Sequence, residues 1–288
     1  MDVSGVTTGT LVLIAAVWGA LTGALLPRAA YRFAVPSGEP WRAHCPDGRH
    51  PVRGWLGGVR CGHCAHDAGD GDADGGGRSG VGGGGDGSGR SGEAGGGQGC
   101  VPVASYQPYA PSTLLLATVG ALVCAALAAA TGTRPELAVW LLLAPVGVLL
   151  AAVDLRVQRL PDPLTLPLAA AALVLLGLAA LLPEHAGHWR TALQGALALA
   201  AGYYALYRLN PGGMGFGDVK LAVGTGAVLG WYGWPTVLLG TFAGFLFGAL
   251  YGGVLVLARR ADRKTAVPFG PFLLAGALAG LLIGAYAA

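Results

Sequence analysis

The chain has 288 residues, of which 53% are hydrophobic and only 11% charged, and its mean hydropathy is +0.57. A soluble domain needs about a quarter charged residues to cover its surface, so this composition excludes an ordinary soluble globule and is explained if much of the surface faces lipid. The net charge of +3 comes without a basic tract suited to nucleic acid, which is excluded as a partner.

A membrane-crossing helix needs roughly 20 mostly apolar residues at about 1.5 Å each. Eight segments meet that need in chain order: about 9–27, 112–131, 136–153, 163–182, 190–208, 217–232, 235–257 and 268–287. The expected fold is an all-α polytopic membrane protein with about eight transmembrane helices and a large, partly disordered cytoplasmic loop. The opening MDVSGVTTG carries Asp2 and no basic residue, while Arg28 and Arg32 follow the first apolar run. That order of charges suits an uncleaved span, 1–27, better than a signal peptide.

Residues 28–65 form a cytoplasmic segment with Cys45, Cys61 and Cys64, and residues 66–110 form an insertion and linker. From His66 to Gly99, half of the 34 residues are glycine. Such a stretch cannot bury enough apolar surface to offset chain entropy and is expected to be disordered. Five cysteines at uneven spacing do not make a disulfide framework, and Cys124, inside an apolar run, reads as a small packing residue.

Orientation follows from lysine and arginine. With the N-terminus outside, sixteen of the eighteen positive residues fall on the cytoplasmic side, and only Arg134 and Arg190 fall outside. Both termini are therefore expected outside. The same count sets Asp154, Asp162 and Asp218 at one level, at the cytoplasmic ends of spans.

Those acids lie in LLAAVDLRVQRLPDPLTLPLAAAAL and RLNPGGMGFGDVKLAVGTGAVLG. An aspartate deep in a membrane helix costs about 2.5–3.5 kcal/mol on insertion scales, so it usually faces a partner or a wet cavity. Two carboxylates brought close share a proton; one can activate water while the other polarises a carbonyl. Glycines 212, 213, 215 and 217 would let a substrate strand approach Asp218 and give the backbone angles denied to other residues. Structural readings compete with this one. Asp154 could be a solvated loop acid beside Arg156, Asp162 a helix N-cap in Pro-Asp-Pro, and Asp218 a cap of its own helix. At the level of function, a proton- or cation-coupled transporter is the alternative.

DLRVQRLPDPLTLPL and GMGFGDVKLA resemble the two active-site motifs of the type IV prepilin peptidases, and VPFGPFLLAGAL is similar to a further stretch of that family. The resemblance covers residues 111–288, the expected peptidase domain. It implies a bacterial inner-membrane aspartic endopeptidase that cleaves the basic leader from prepilin-like proteins at the cytoplasmic membrane face. It assigns catalysis to Asp154 and Asp218, and supporting roles to Asp162, Gly215, Gly217 and Lys220. Proteolysis of this kind needs no cofactor. In many members the first cytoplasmic loop carries two Cys-x-x-Cys pairs that bind zinc and accompany N-methylation. Here CGHC supplies Cys61 and Cys64, but HCPDG offers only Cys45, so the implied zinc set is incomplete. His44, His50, His63, His66 or Cys100 would have to complete the four ligands of a structural site.

Overall fold

A computed structural model describes residues 3–36, 38–45, 50–58, 111–210, 213–258 and 268–288. The glycine-rich insertion, Cys61, Cys64, His63, His66, Cys100 and Gly212 lie outside the described residues. Nine helices are formed among those described: α1 (Val3–Leu25), α2 (Pro27–Phe33), α3 (Thr113–Thr131), α4 (Glu136–Val157), α5 (Asp162–Ala179), α6 (Trp189–Leu209), α7 (Phe216–Trp231), α8 (Trp234–Leu257) and α9 (Gly270–Ala287).

Each of the eight apolar segments becomes a helix, and α2 is a short addition opened by Pro27, whose missing N–H costs nothing at a first helical position. Six helices (all except α2, α6 and α7) are long and apolar enough to cross a membrane. α6 includes Arg190, Gln194 and Arg208. α7 runs for only 16 residues, and it is the most enclosed helix of the bundle: Leu221, Ala222, Ala227, Leu229 and Trp231 are all buried. Apolar side chains elsewhere point outward, Leu13, Leu122, Phe242 and Leu257 among them. An outward apolar surface is stable against lipid and costly against water.

Lipid tails are as apolar as leucine, so helices in a membrane associate through close packing, which small residues permit. Three pairs use this device. α1 meets α3 where Gly19 and Gly23 face Gly120; a Cβ on Gly19 would lie 2.9 Å from that of Cys124. α6 meets α7 at Gly195, where a Cβ would lie 3.0 Å from the Cα of Gly230. α8 meets α9 where Gly240 and Gly244 face Gly276 and Gly280. Cys124 is buried in the first of these seams, as its apolar setting implied.

One end of the bundle is tied by polar contacts. Glu136, the first residue of α4, is fully buried. Its Oε1 accepts from the Ala186 N–H at 3.3 Å and from the Tyr232 hydroxyl at 3.4 Å, and Arg134 stands 4.0 Å away. Arg134 in turn donates to the Ala285 carbonyl near the end of α9, at 3.0 Å. This cluster joins the starts or ends of α4, α6, α7 and α9.

At the other end, the segment after α1 folds back on itself. Arg28 donates to the Arg53 carbonyl at 3.0 Å, Arg32 to that of Gly54 at 2.7 Å, and Tyr31 to that of His44 at 2.9 Å. Arg159 donates to the Pro36 carbonyl at 3.0 Å, joining this segment to the connection between α4 and α5.

Candidate active site

Asp154 lies within α4 and not after it. The helix runs three residues further, to Val157, and is closed by Gln158 in the left-handed conformation (φ 51°), whose N–H donates to the Asp154 carbonyl at 2.8 Å. The side chain is only 3% exposed. It is therefore an intrahelical buried acid, which corrects the reading of a solvated loop residue. Its Oδ2 accepts the N–H of Gly270 at 3.1 Å. Gly270 opens α9, with Pro271 following it, so Asp154 takes one of the donors that a helix start leaves without an internal partner. The partial positive charge of that terminus favours an anion there.

Asp218 is the third residue of α7 and is 6% exposed. Its Oδ2 accepts the N–H of Gly215, the residue that precedes the helix, at 3.2 Å. The expected capping role is thus real, and it holds the carboxylate in place without using its second oxygen. Asp154 and Asp218 come from different helices, α4 and α7, whose glycine-supported ends converge on Leu160.

Leu160 packs between the two acids' supports. A Cβ on Gly217, beside Asp218, would lie 2.9 Å from that of Leu160. A Cβ on Gly270 would lie 2.7 Å from Asp154 Oδ2 and 3.4 Å from Leu160 Cδ1. These glycines serve close approach. Among the described ones of the Gly-x-Gly-Asp stretch, none has a positive φ, so the expectation of backbone angles denied to other residues is not met. Gly215 has φ −75° and ψ 145°, ordinary extended backbone.

Asp162 does not cap α5. Pro161 occupies the N-cap, Asp162 is the first helical residue, and its side chain makes no capping bond. It pairs instead with Lys220, Nζ to Oδ1 2.7 Å, with Asp162 59% exposed. Lys220 also lies 5.1 Å from the centre of the Phe216 ring. The two supporting residues therefore meet each other at the rim, tying the start of α5 to the first turn of α7, while the two catalytic candidates lie behind them.

Three participants carried no role in the sequence reading: Gly270, Leu160 and Tyr203. Gly270 lies in VPFGPFLLAGAL, where a glycine followed by proline marks a helix start. Tyr203, on α6, is 2% exposed and packs in one apolar cluster with Leu160 and Val219.

Cys45 is buried beside the antiparallel bridge between His44 and Pro51, its N–H donating to the His50 carbonyl at 2.9 Å. Among the described residues no three histidine, cysteine or acidic side chains gather as metal ligands. Of the residues named for a zinc site, Cys45, His44 and His50 are described, and these three are too few for a tetrahedral site.

Residues 141–253 match the Type IV leader peptidase family. A prepilin leader peptidase/N-methyltransferase of Aeromonas salmonicida (strain A449) is 37% identical over 188 residues, 65% of this chain and 61% of that protein. Its namesake from Aeromonas hydrophila is 38% identical over 192 residues, with the same shares covered. One from Pseudomonas aeruginosa is 36% identical over 140 residues, 46% of this chain and 44% of that protein. The chain thus spans less than two thirds of the length of these curated relatives. No solved structure matches it. The matched segment holds both buried aspartates, the Asp162–Lys220 pair and the glycines beside Asp218, so these residues of the candidate site lie where the chain is similar to the type IV leader peptidase family.

Proposed function

We propose that this protein is an intramembrane aspartic endopeptidase that removes the basic leader from prepilin-like proteins. The observation that carries the reading is a pair of buried carboxylates on separate helices, whose neighbouring glycines Gly270 and Gly217 both pack against Leu160, within a segment similar to the leader peptidase family. Each has one oxygen held by a backbone N–H, Gly270 for Asp154 and Gly215 for Asp218. The remaining oxygens serve the chemistry. One carboxylate, ionised, takes a proton from a water as that water attacks the scissile carbonyl carbon. The other, protonated, donates to the carbonyl oxygen and later helps pass a proton to the departing amine. Holding one oxygen of each acid fixes the pair before substrate arrives, which reduces the reorganisation left to the chemical step.

The substrate class is taken from the names of the relatives and from the resemblance of the motifs. The distribution of arginine and lysine supports cleavage at the cytoplasmic face of the bacterial inner membrane, with both termini outside. The transporter alternative has no support among the relatives, and Asp154, the nineteenth of the 22 residues of α4, is near a helix end, away from the midplane where transport sites lie. The relatives' name also includes N-methyltransferase, but the present proposal is confined to proteolysis. A structural zinc held by Cys45, Cys61 and Cys64 is a separate proposal, read by the zinc content of the purified protein with and without Cys61→Ser.

Co-expression with a prepilin, followed by the mobility of the substrate, tests the main reading. Asp154→Asn and Asp218→Asn should each leave the leader in place. Processing that survives both substitutions would overturn the aspartic mechanism.

A further inference from the structure

Tyr203 is a buried phenol that the two-carboxylate mechanism does not use. It sits on α6, the helix that packs along α7 through Gly195, and belongs to one apolar cluster with Val219 and Leu221 of α7, the helix that carries Asp218. Its ring is fixed on two sides: the Phe245 ring stacks at 5.8 Å between centroids and that of Phe269 lies at 5.9 Å. Phe269 immediately precedes Gly270, the residue that holds Asp154. Tyr203 also shares one apolar cluster with Leu160 and Val219, the neighbours of both acids.

Its hydroxyl has no hydrogen-bond partner among the described residues. A buried phenol normally finds one, because leaving a buried hydroxyl unpaired costs about 1–3 kcal/mol. A polar atom retained at that cost beside a reactive carboxylate indicates a use for it. The cheaper side chain, phenylalanine, would keep both ring contacts.

We infer that Tyr203 is a positioning residue of the active site, whose hydroxyl donates to the Asp218 carboxylate once substrate closes the site. Asp218 already spends Oδ2 on the Gly215 N–H. A second donor from α6 would hold the plane of the carboxylate, fixing its other oxygen toward the attacking water. The phenol keeps its proton throughout, so the hydrolysis stays balanced between the water and the two aspartates. The inference rests on the aspartic peptidase reading.

The experiment is the steady-state cleavage of a prepilin peptide spanning leader and apolar segment, by full-length protein in phosphatidylglycerol/phosphatidylethanolamine vesicles. Tyr203→Phe keeps the stacked ring, sheds the unpaired hydroxyl and should melt at or above the parental temperature, while kcat falls about ten- to hundredfold, the value of a hydrogen bond to a charged group, and KM stays within about twofold. Fluorotyrosine at the same position restores the hydroxyl and should restore kcat. Asp218→Asn is run in parallel. If it abolishes cleavage while Tyr203→Phe keeps the parental kcat, the role of Tyr203 is refuted and the peptidase reading stands. If Asp218→Asn still cleaves, both fall. A Tyr203→Phe protein that melts early and regains kcat on cooling would mark the hydroxyl as structural and would equally overturn the inference.

Discussion

Adding one methyl group at Gly270 tests the geometry of the site most directly. In Gly270→Ala the new Cβ would lie 2.7 Å from Asp154 Oδ2 and 3.2 Å from its Cγ. Ordinary contact between such atoms is about 3.5 Å, so the carboxylate has to retreat by roughly 0.8 Å. Leu160 blocks part of that retreat, since its Cδ1 would already be 3.4 Å from the same methyl. The 3.1 Å bond from the Gly270 N–H stretches or breaks as the acid moves. A displacement approaching 1 Å in a catalytic group costs on the order of a hundredfold in rate, and that is the loss expected. Folding should survive, because alanine is the better helix former by about 0.8–1.0 kcal/mol in a helix interior, and less at a terminus. The comparison is Gly215→Ala, whose Cβ would meet Asp218 Oδ2 at an unforced 3.5 Å. It should lose no more than about threefold. Initial rates of prepilin cleavage in proteoliposomes, with a melting curve for each variant, read the difference. A folded Gly270→Ala protein that cleaves at the parental rate would refute the reasoning, as would the reverse order of the two variants.

Three other perturbations have definite outcomes. Asp162→Asn removes an exposed ion pair to Lys220, worth up to about 1 kcal/mol; cleavage should fall by no more than about fivefold, and added salt should shrink the gap between variant and parent. Gly19→Leu drives a side chain into the backbone at Gly120 and should part α1 from α3; the measurement is protease sensitivity of the N-terminal segment in vesicles, which should rise. Glu136→Ala strips a fully buried acid from Arg134, Tyr232 and the Ala186 N–H. Breaking such a cluster from one side costs about 3 kcal/mol, and the melting temperature should drop while any protein still folded keeps its cleavage site intact.

The helices were legible because a run of apolar residues long enough to cross a membrane is a signal independent of partners. All eight expected segments are helical; Asp162 and Asp218 lie in the first turns of their helices, whereas Asp154 lies inside α4, three residues before its end. What the sequence could not give was contact across the chain. Gly270 follows Asp154 by 116 residues, and no local pattern announces that its N–H is the acid's partner. Leu160 looks like any leucine between a loop and a proline. Tyr203 lies in a helix whose apolar pattern explains it as packing. Asp162 was misjudged at the level of one residue: Pro-Asp-Pro offers two candidate starts for α5, and the structure begins the helix at the aspartate itself, with Pro161 as cap. Of the glycines before Asp218, Gly217 serves close packing against Leu160, a role different from the substrate approach expected of it, and Gly213, Gly215 and Gly217 have no unusual backbone angles.

The buried knot around Glu136 sets how the molecule can move. Glu136 and Asp154 are 18 residues apart on one helix, a distance of about 27 Å at 1.5 Å per residue. The knot fixes the ends of α4, α6, α7 and α9 far from the acids, while the polar ties at the aspartate end are single backbone donors and a rim ion pair around the apolar cluster of Leu160. Seen mechanically, the bundle has a pivot at one end and its working points at the other. A tilt of about 5° at the pivot swings the far end of a 27 Å arm by roughly 2 Å, enough to make or break every hydrogen bond at the site while scarcely disturbing the knot.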